Sequence, residues 1–98
     1  MSQFRVTASE LRSKAEELTN LNTSFKNAVE NLVNSEGSLN TMWEGEAKDA
    51  FHNAFTGDKA KMDQFAALIE KYVTTLQTIA TKYETTERQN TSIASQRS

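Results

Sequence analysis

The sequence predicts an all-α fold: an antiparallel helix-turn-helix hairpin, two of which pair as a four-helix bundle. Three observations carry that prediction. Apolar residues recur every seven positions over two long runs, which is a helical period and not the two-residue alternation of a strand. Proline is absent and glycine stands only at Gly37, Gly45 and Gly57, too few breakers for strands joined by tight turns. The chain has 98 residues, of which 37% are hydrophobic, and alanine supplies many of these. A domain that small and that poor in large apolar side chains ordinarily needs disulfides, a metal or a partner. Cysteine is absent and histidine occurs once, so a partner is the expected source of stability.

The first helix opens on Thr7-Ala8-Ser9-Glu10, a capping box with Thr7 as N-cap and Glu10 reaching back to its amide. Val6 and Leu11 are spaced for a hydrophobic staple across that cap. One seam then runs through Phe4, Leu11, Leu18, Phe25, Leu32 and Leu39. A companion seam holds Ala8, Ala15, Asn22, Val29, Glu36 and Trp43. Leu21, Ala28 and Val33 widen the apolar face. Asn22 and Glu36 interrupt the companion seam, either as polar core positions that set register or partner choice or as residues at an exposed margin. The stretch around Gly37 should weaken the helix, but the pattern persists, so the helix is expected over residues 8–40.

Residues 41–46, Thr41-Met42-Trp43-Glu44-Gly45-Glu46, form the expected turn. The second helix is expected over residues 47–86, with seams Phe51, Asp58, Phe65, Tyr72, Ile79 and Phe55, Met62, Ile69, Leu76, Tyr83. Ala54, Ala66, Leu68, Val73 and Ala80 flank them, and Gly57 is the interior weak point. The hairpin thus occupies residues 1–86, and residues 87–98, with only Ile93 and Ala94 apolar, read as a flexible polar tail. The second helix is apolar over more of its surface than one coiled-coil contact covers. Pairing two hairpins buries the remainder, and a homodimer is the simplest arrangement. Hairpin and dimer packing is expected on Leu11, Leu18, Phe25, Leu32, Phe55, Phe65, Ile69, Tyr72 and Leu76.

Several classes of function are excluded by composition. The 11 basic and 13 acidic residues are mixed along the chain, unlike the clustered Lys and Arg of a nucleic-acid binder. No apolar run approaches the roughly 20 residues that span a bilayer, so stable membrane insertion is not expected. The start, Met1-Ser2-Gln3-Phe4-Arg5, lacks the pattern of a cleavable signal peptide. Asp49 and His52 have a carboxylate–histidine spacing, but a metal centre needs further ligands, and a packed or solvated His52 is the expectation. The serines and threonines have no convincing base, and no phosphate-binding glycine loop occurs. No enzyme activity and no cofactor are expected.

The turn Trp43-Glu44-Gly45, at the centre of a chain this long with a heptad helix on either side, resembles the Trp-X-Gly hundred-residue family, the ESAT-like substrates of type VII secretion. The resemblance spans nearly the whole chain. The family's second mark, Tyr-xxx-Asp/Glu, is matched by Tyr83 and Glu87, which share one helix face. Asn90 stands where longer versions of the pattern carry an apolar residue. The resemblance implies a small helical hairpin exported as a folded dimer without a cleaved signal peptide, cytoplasmic before export and extracellular after it. It implies Trp43 and Gly45 as the turn and export motif, and Tyr83 with Glu87 as the C-terminal secretion motif. The implied partners are itself or a related family member, and a membrane-bound FtsK-like ATPase. Such a protein acts by protein–protein interaction, as effector or export partner. The alternative is a cytoplasmic helical adaptor that binds another helical protein. Trp43 and Tyr83 also read as packing residues, and Gly45 as a position needing either an unusual backbone or clearance.

Overall fold

The computed structural model describes residues 6–97, with side chains described as far as residue 90. Two helices account for it, α1 (Ala8–Met42) and α2 (Glu46–Arg97). They lie against each other as a rod with principal extents of 80 × 21 × 16 Å.

Helix α1 begins as the capping box requires. The Glu10 amide donates to Thr7 Oγ1 at 3.1 Å, and the Leu11 amide donates to the Thr7 carbonyl at 3.1 Å. The Glu10 carboxylate returns onto the Thr7 hydroxyl, which donates to Oε1 at 3.1 Å, rather than onto the amide expected from the sequence. The helix runs through Gly37 and stops two residues later than expected.

Helix α2 begins at Glu46 and continues to Arg97, past the end near Thr86 that loss of the apolar pattern suggested. The reason is local. No proline or glycine follows Gly57, and Glu, Arg, Gln, Ser and Thr tolerate the helical backbone once a long helix is nucleated. Of the expected seam and tail residues, Phe4 lies outside the described residues, as do the side chains of Ile93 and Ala94.

The inner seam differs from the one that large side chains suggested. Buried on α1 are Ala8, Ala15, Asn22, Val29 and Glu36, the companion seam. On α2 the buried positions are Ala66 and Ala80, which looked like flanks in the sequence. Alanine dominates because a small side chain lets two helices approach closely along the length of α1. Leu11, Leu18 and Phe25 are half-buried beside this seam, and Leu32 and Leu39 are exposed. Among the described residues no large side chain is fully buried.

Candidate functional site

The bend is built by two residues with different tasks. Trp43 ends α1 in extended conformation, φ −104° and ψ 133°, and its amide donates to the Leu39 carbonyl at 3.0 Å. Its ring lies against Phe51, with centroids 5.6 Å apart and planes inclined at 47°. Gly45 has φ +114°, and its carbonyl accepts from the Lys48 amide at 3.2 Å as α2 begins. A Cβ at Gly45 would meet nothing within 4 Å. Of the two roles open for this glycine, backbone conformation is therefore the one it fills, and clearance is not needed. Glu46 and Asp49 in the first turn of α2 favour its positive N-terminal dipole end.

Tyr83 and Glu87 lie beside the start of α1, at the far end of the helix pair from the bend. With Val6, Thr86 and Asn90 they line an open cavity of about 360 Å³. Val6 therefore sits at the α2 end of the molecule and remains 42% exposed. Trp43 and Tyr83 of one chain are thus separated by most of the length of α1, about 50 Å at 1.5 Å per residue.

Between these ends the hairpin has two unlike sides. One carries the large apolar residues expected to pack. Phe25 and Phe65 meet edge to face at 5.4 Å between centroids. Phe55, Ile69 and Leu76 are half-buried, while Leu32, Phe65 and Tyr72 each leave about half their surface to solvent. Leu21 and Phe51 extend the same exposed stripe.

The opposite side is polar and closed by ion pairs that sequence reasoning did not find. Arg12 forks onto Glu84, with Nε to Oε2 at 3.1 Å and Nη2 to Oε1 at 2.6 Å, and Nη2 also donates to Thr81 Oγ1 at 3.0 Å. That hydrogen bond, aided by the charge of Arg12, holds the Glu84 carboxyl below its usual range, and Arg88 adds to the effect. The Arg12 guanidinium is pushed up by the same bond. Lys26 pairs with Glu70 two heptads further along.

Two polar contacts cross the buried seam itself. Asn22 Nδ2 donates to the Ala66 carbonyl at 3.1 Å, while its Oδ1 is buried with no hydrogen-bond partner. Glu36, buried, lies with Oε1 2.5 Å from Nδ1 of His52, a half-exposed ring. Asn22 and Glu36 are therefore core positions and not an exposed margin. Their place on the seven-residue seam of Ala8, Ala15 and Val29 was the signal available in the sequence. Among the described residues no cluster of three metal-ligating side chains occurs, and no helix is long and apolar enough to cross a membrane.

Comparison with known proteins places this geometry. The chain is similar to EsxA of Geobacillus thermodenitrificans, with 25% identity, a TM-score of 0.81, and coverage of 91% of this chain and 97% of that one. It is also similar to the secreted protein EsxB of Bacillus anthracis, with 26% identity and a TM-score of 0.78 over 89% of this chain and 99% of that one. A second crystal structure of EsxB, the wild-type protein in space group P21, matches at 26% identity and a TM-score of 0.75 over 85% and 89%. The family model for proteins of 100 residues with WXG matches residues 3–88. With Trp43-Glu44-Gly45 at its bend, the chain belongs to the WXG100 family of non-enzymatic helical-hairpin proteins.

Proposed function

We propose that this protein is exported by a type VII secretion system as a folded dimer and acts by protein–protein interaction, as effector or as export partner. The observation that carries the dimer is the one-sided exposure of Leu21, Leu32, Phe51, Phe65 and Tyr72. Solvent-accessible surface amounts to 7674 Å². A compact monomer of this mass exposes roughly 5,600 Å². Contiguous apolar surface of that kind marks an interaction site. A second copy, or a related family member, covers it as the other half of a four-helix bundle. A monomeric mass by light scattering at micromolar concentration, with no related partner present, would remove the homodimer.

In an antiparallel dimer, Tyr83 and Glu87 of one chain approach Trp43 and Gly45 of the other. The export signal is then composite and exists only after pairing, to be read by a membrane-bound FtsK-like ATPase. Support comes from the separation of the two motifs along one chain and from family membership. The test is the amount of protein in culture supernatant with and without that ATPase, with a lysis marker followed in parallel. ATPase-dependent release is expected, and Trp43→Ala or Tyr83→Ala homodimers should be retained. Co-expression of the two variants should restore part of the export through the one intact composite end. Efficient export of both single variants would sink the composite signal. Strict cytoplasmic retention of the wild type in secretion-competent cells would favour a cytoplasmic adaptor instead.

A further inference from the structure

A hairpin made of heptads has an alignment problem. If the bend moved from Trp43-Gly45 to the neighbourhood of Gly37, α1 and α2 would slide by two heptads relative to each other. Every apolar residue would stay on its own face, because the shift is a multiple of the repeat. Several observed contacts would find substitutes. Phe25, which now meets Phe65, would meet Phe51. Arg12, which now holds Glu84, would reach Glu70. The buried Ala8 would face another buried alanine, Ala66. Gly37 is itself in open space and supplies a ready bend. The slipped form gives up seven residues of α1 from the pairing, together with the contact of Trp43 on Phe51.

The exposed Lys26–Glu70 pair is lost, with Thr56 in place of the acid, and two buried polar contacts also have no substitute. Asn22 donates to the Ala66 carbonyl at 3.1 Å, an approach that the small Ala66 side chain allows. In the slipped form His52 would stand in that place, its imidazole filling the space the amide needs. Glu36, now buried against His52, would fall in the bend and lose its partner. The two contacts are two heptads apart on each helix, so both report one alignment and fail together. Asn22 keeps a buried Oδ1 without a partner. A buried polar group that is incompletely satisfied lowers stability, and fixing register is the best-attested use of such a residue.

We propose that Asn22 and the Glu36–His52 pair are positioning residues that exclude the slipped hairpin and so fix Trp43 and Gly45 at the bend. The alignment stands without the secretion reading. Only its consequence, which motif the bend displays, rests on that reading.

The absence of cysteine lets the alignment be read cleanly. Ser13 and Lys82, both exposed and on different helices, are replaced by cysteine and spin-labelled. The labelled chain is diluted with excess unlabelled protein so that only distances within one chain are measured. The slipped form separates the labels along the rod by about 20 Å more. Gly45→Ala is introduced to weaken the native bend in every sample. With the three polar residues intact, a single native distance is expected. With Asn22→Leu, Glu36→Leu and His52→Leu added, a second, longer distance is expected while circular dichroism still reports a helical protein. A single native distance in that helical variant overturns the proposal, as does the longer distance appearing with the polar residues intact. If the leucine variant fails to fold, Asn22→Ala with Glu36→Ala and His52→Ala removes the same contacts without added bulk and is judged by the same two distances.

Discussion

The three glycines of this chain have three different neighbourhoods in sequence but only two in space. Gly45 adopts φ +114°, where side chains are strained whatever room surrounds them. Gly37 and Gly57 lie within α1 and α2, and a Cβ at either would meet nothing within 4 Å. Gly45→Ala should therefore cost about 1–3 kcal/mol through backbone strain. Gly37→Ala and Gly57→Ala should each stabilise the protein by about 1 kcal/mol, the helix-interior difference between the two residues. Urea unfolding of the three variants at one protein concentration checks both signs. A stabilising Gly45→Ala would show that its backbone relaxes freely.

At the scale of the elements, α1 and α2 are fastened to each other differently on their two sides. On the polar side the Arg12 fork onto Glu84 is solvent-exposed, so its contribution is modest and sensitive to salt. Its pH dependence has a definite sign. Glu84 is held below the usual carboxylate range in the folded protein, so the unfolded chain binds that proton more readily. The stabilisation is fully present above the ordinary glutamate value of about 4.3 and is lost as pH falls through the lower folded value. Melting temperatures of the wild type and Glu84→Gln should differ at pH 7 and converge in acid. The difference at pH 7 should also shrink in 1 M NaCl. A gap that persists in both conditions would assign the role of Glu84 to packing instead of charge.

At the scale of the whole molecule, the rod is 80 Å long and the buried hydrophobic residues among those described are four alanines and one valine. A core so thin supplies little of the apolar burial that normally offsets chain entropy. The larger side chains lie on one open side, where a second copy would complete their burial. Stability should then rise with protein concentration, as it does when only the folded state associates. Leu32→Lys with Tyr72→Glu, both exposed in the single chain, should abolish that dependence and leave a monomer of lower melting temperature. An unchanged melting temperature across a hundredfold dilution of the wild type would argue against self-association as the source of stability.

The two helices, both ends of α1 and the start of α2 to within two residues, the Thr7 cap and the bend at Trp43-Gly45 were all legible in the chain. Each depends on interactions within one helical turn or on the backbone preference of one residue. The end of α2 was misread because loss of apolar periodicity signals loss of packing, and a nucleated helix free of breakers can outrun its packing. The two candidate motifs could also be named from sequence, since their spacing is local. Helix length alone, about 54 Å from residue 47 to residue 83 at 1.5 Å per residue, already sets them at opposite ends of the hairpin. Which seam faces inward was not legible. A heptad stripe states that a helix has an apolar side, but two adjacent seams share that side, and the relative rotation of α1 and α2 selects between them. Close approach at Ala8, Ala15, Ala66 and Ala80 makes that selection, together with Asn22–Ala66 and Glu36–His52, pairs far apart in sequence. That rotation turns the alanines inward and leaves leucine and phenylalanine for a partner.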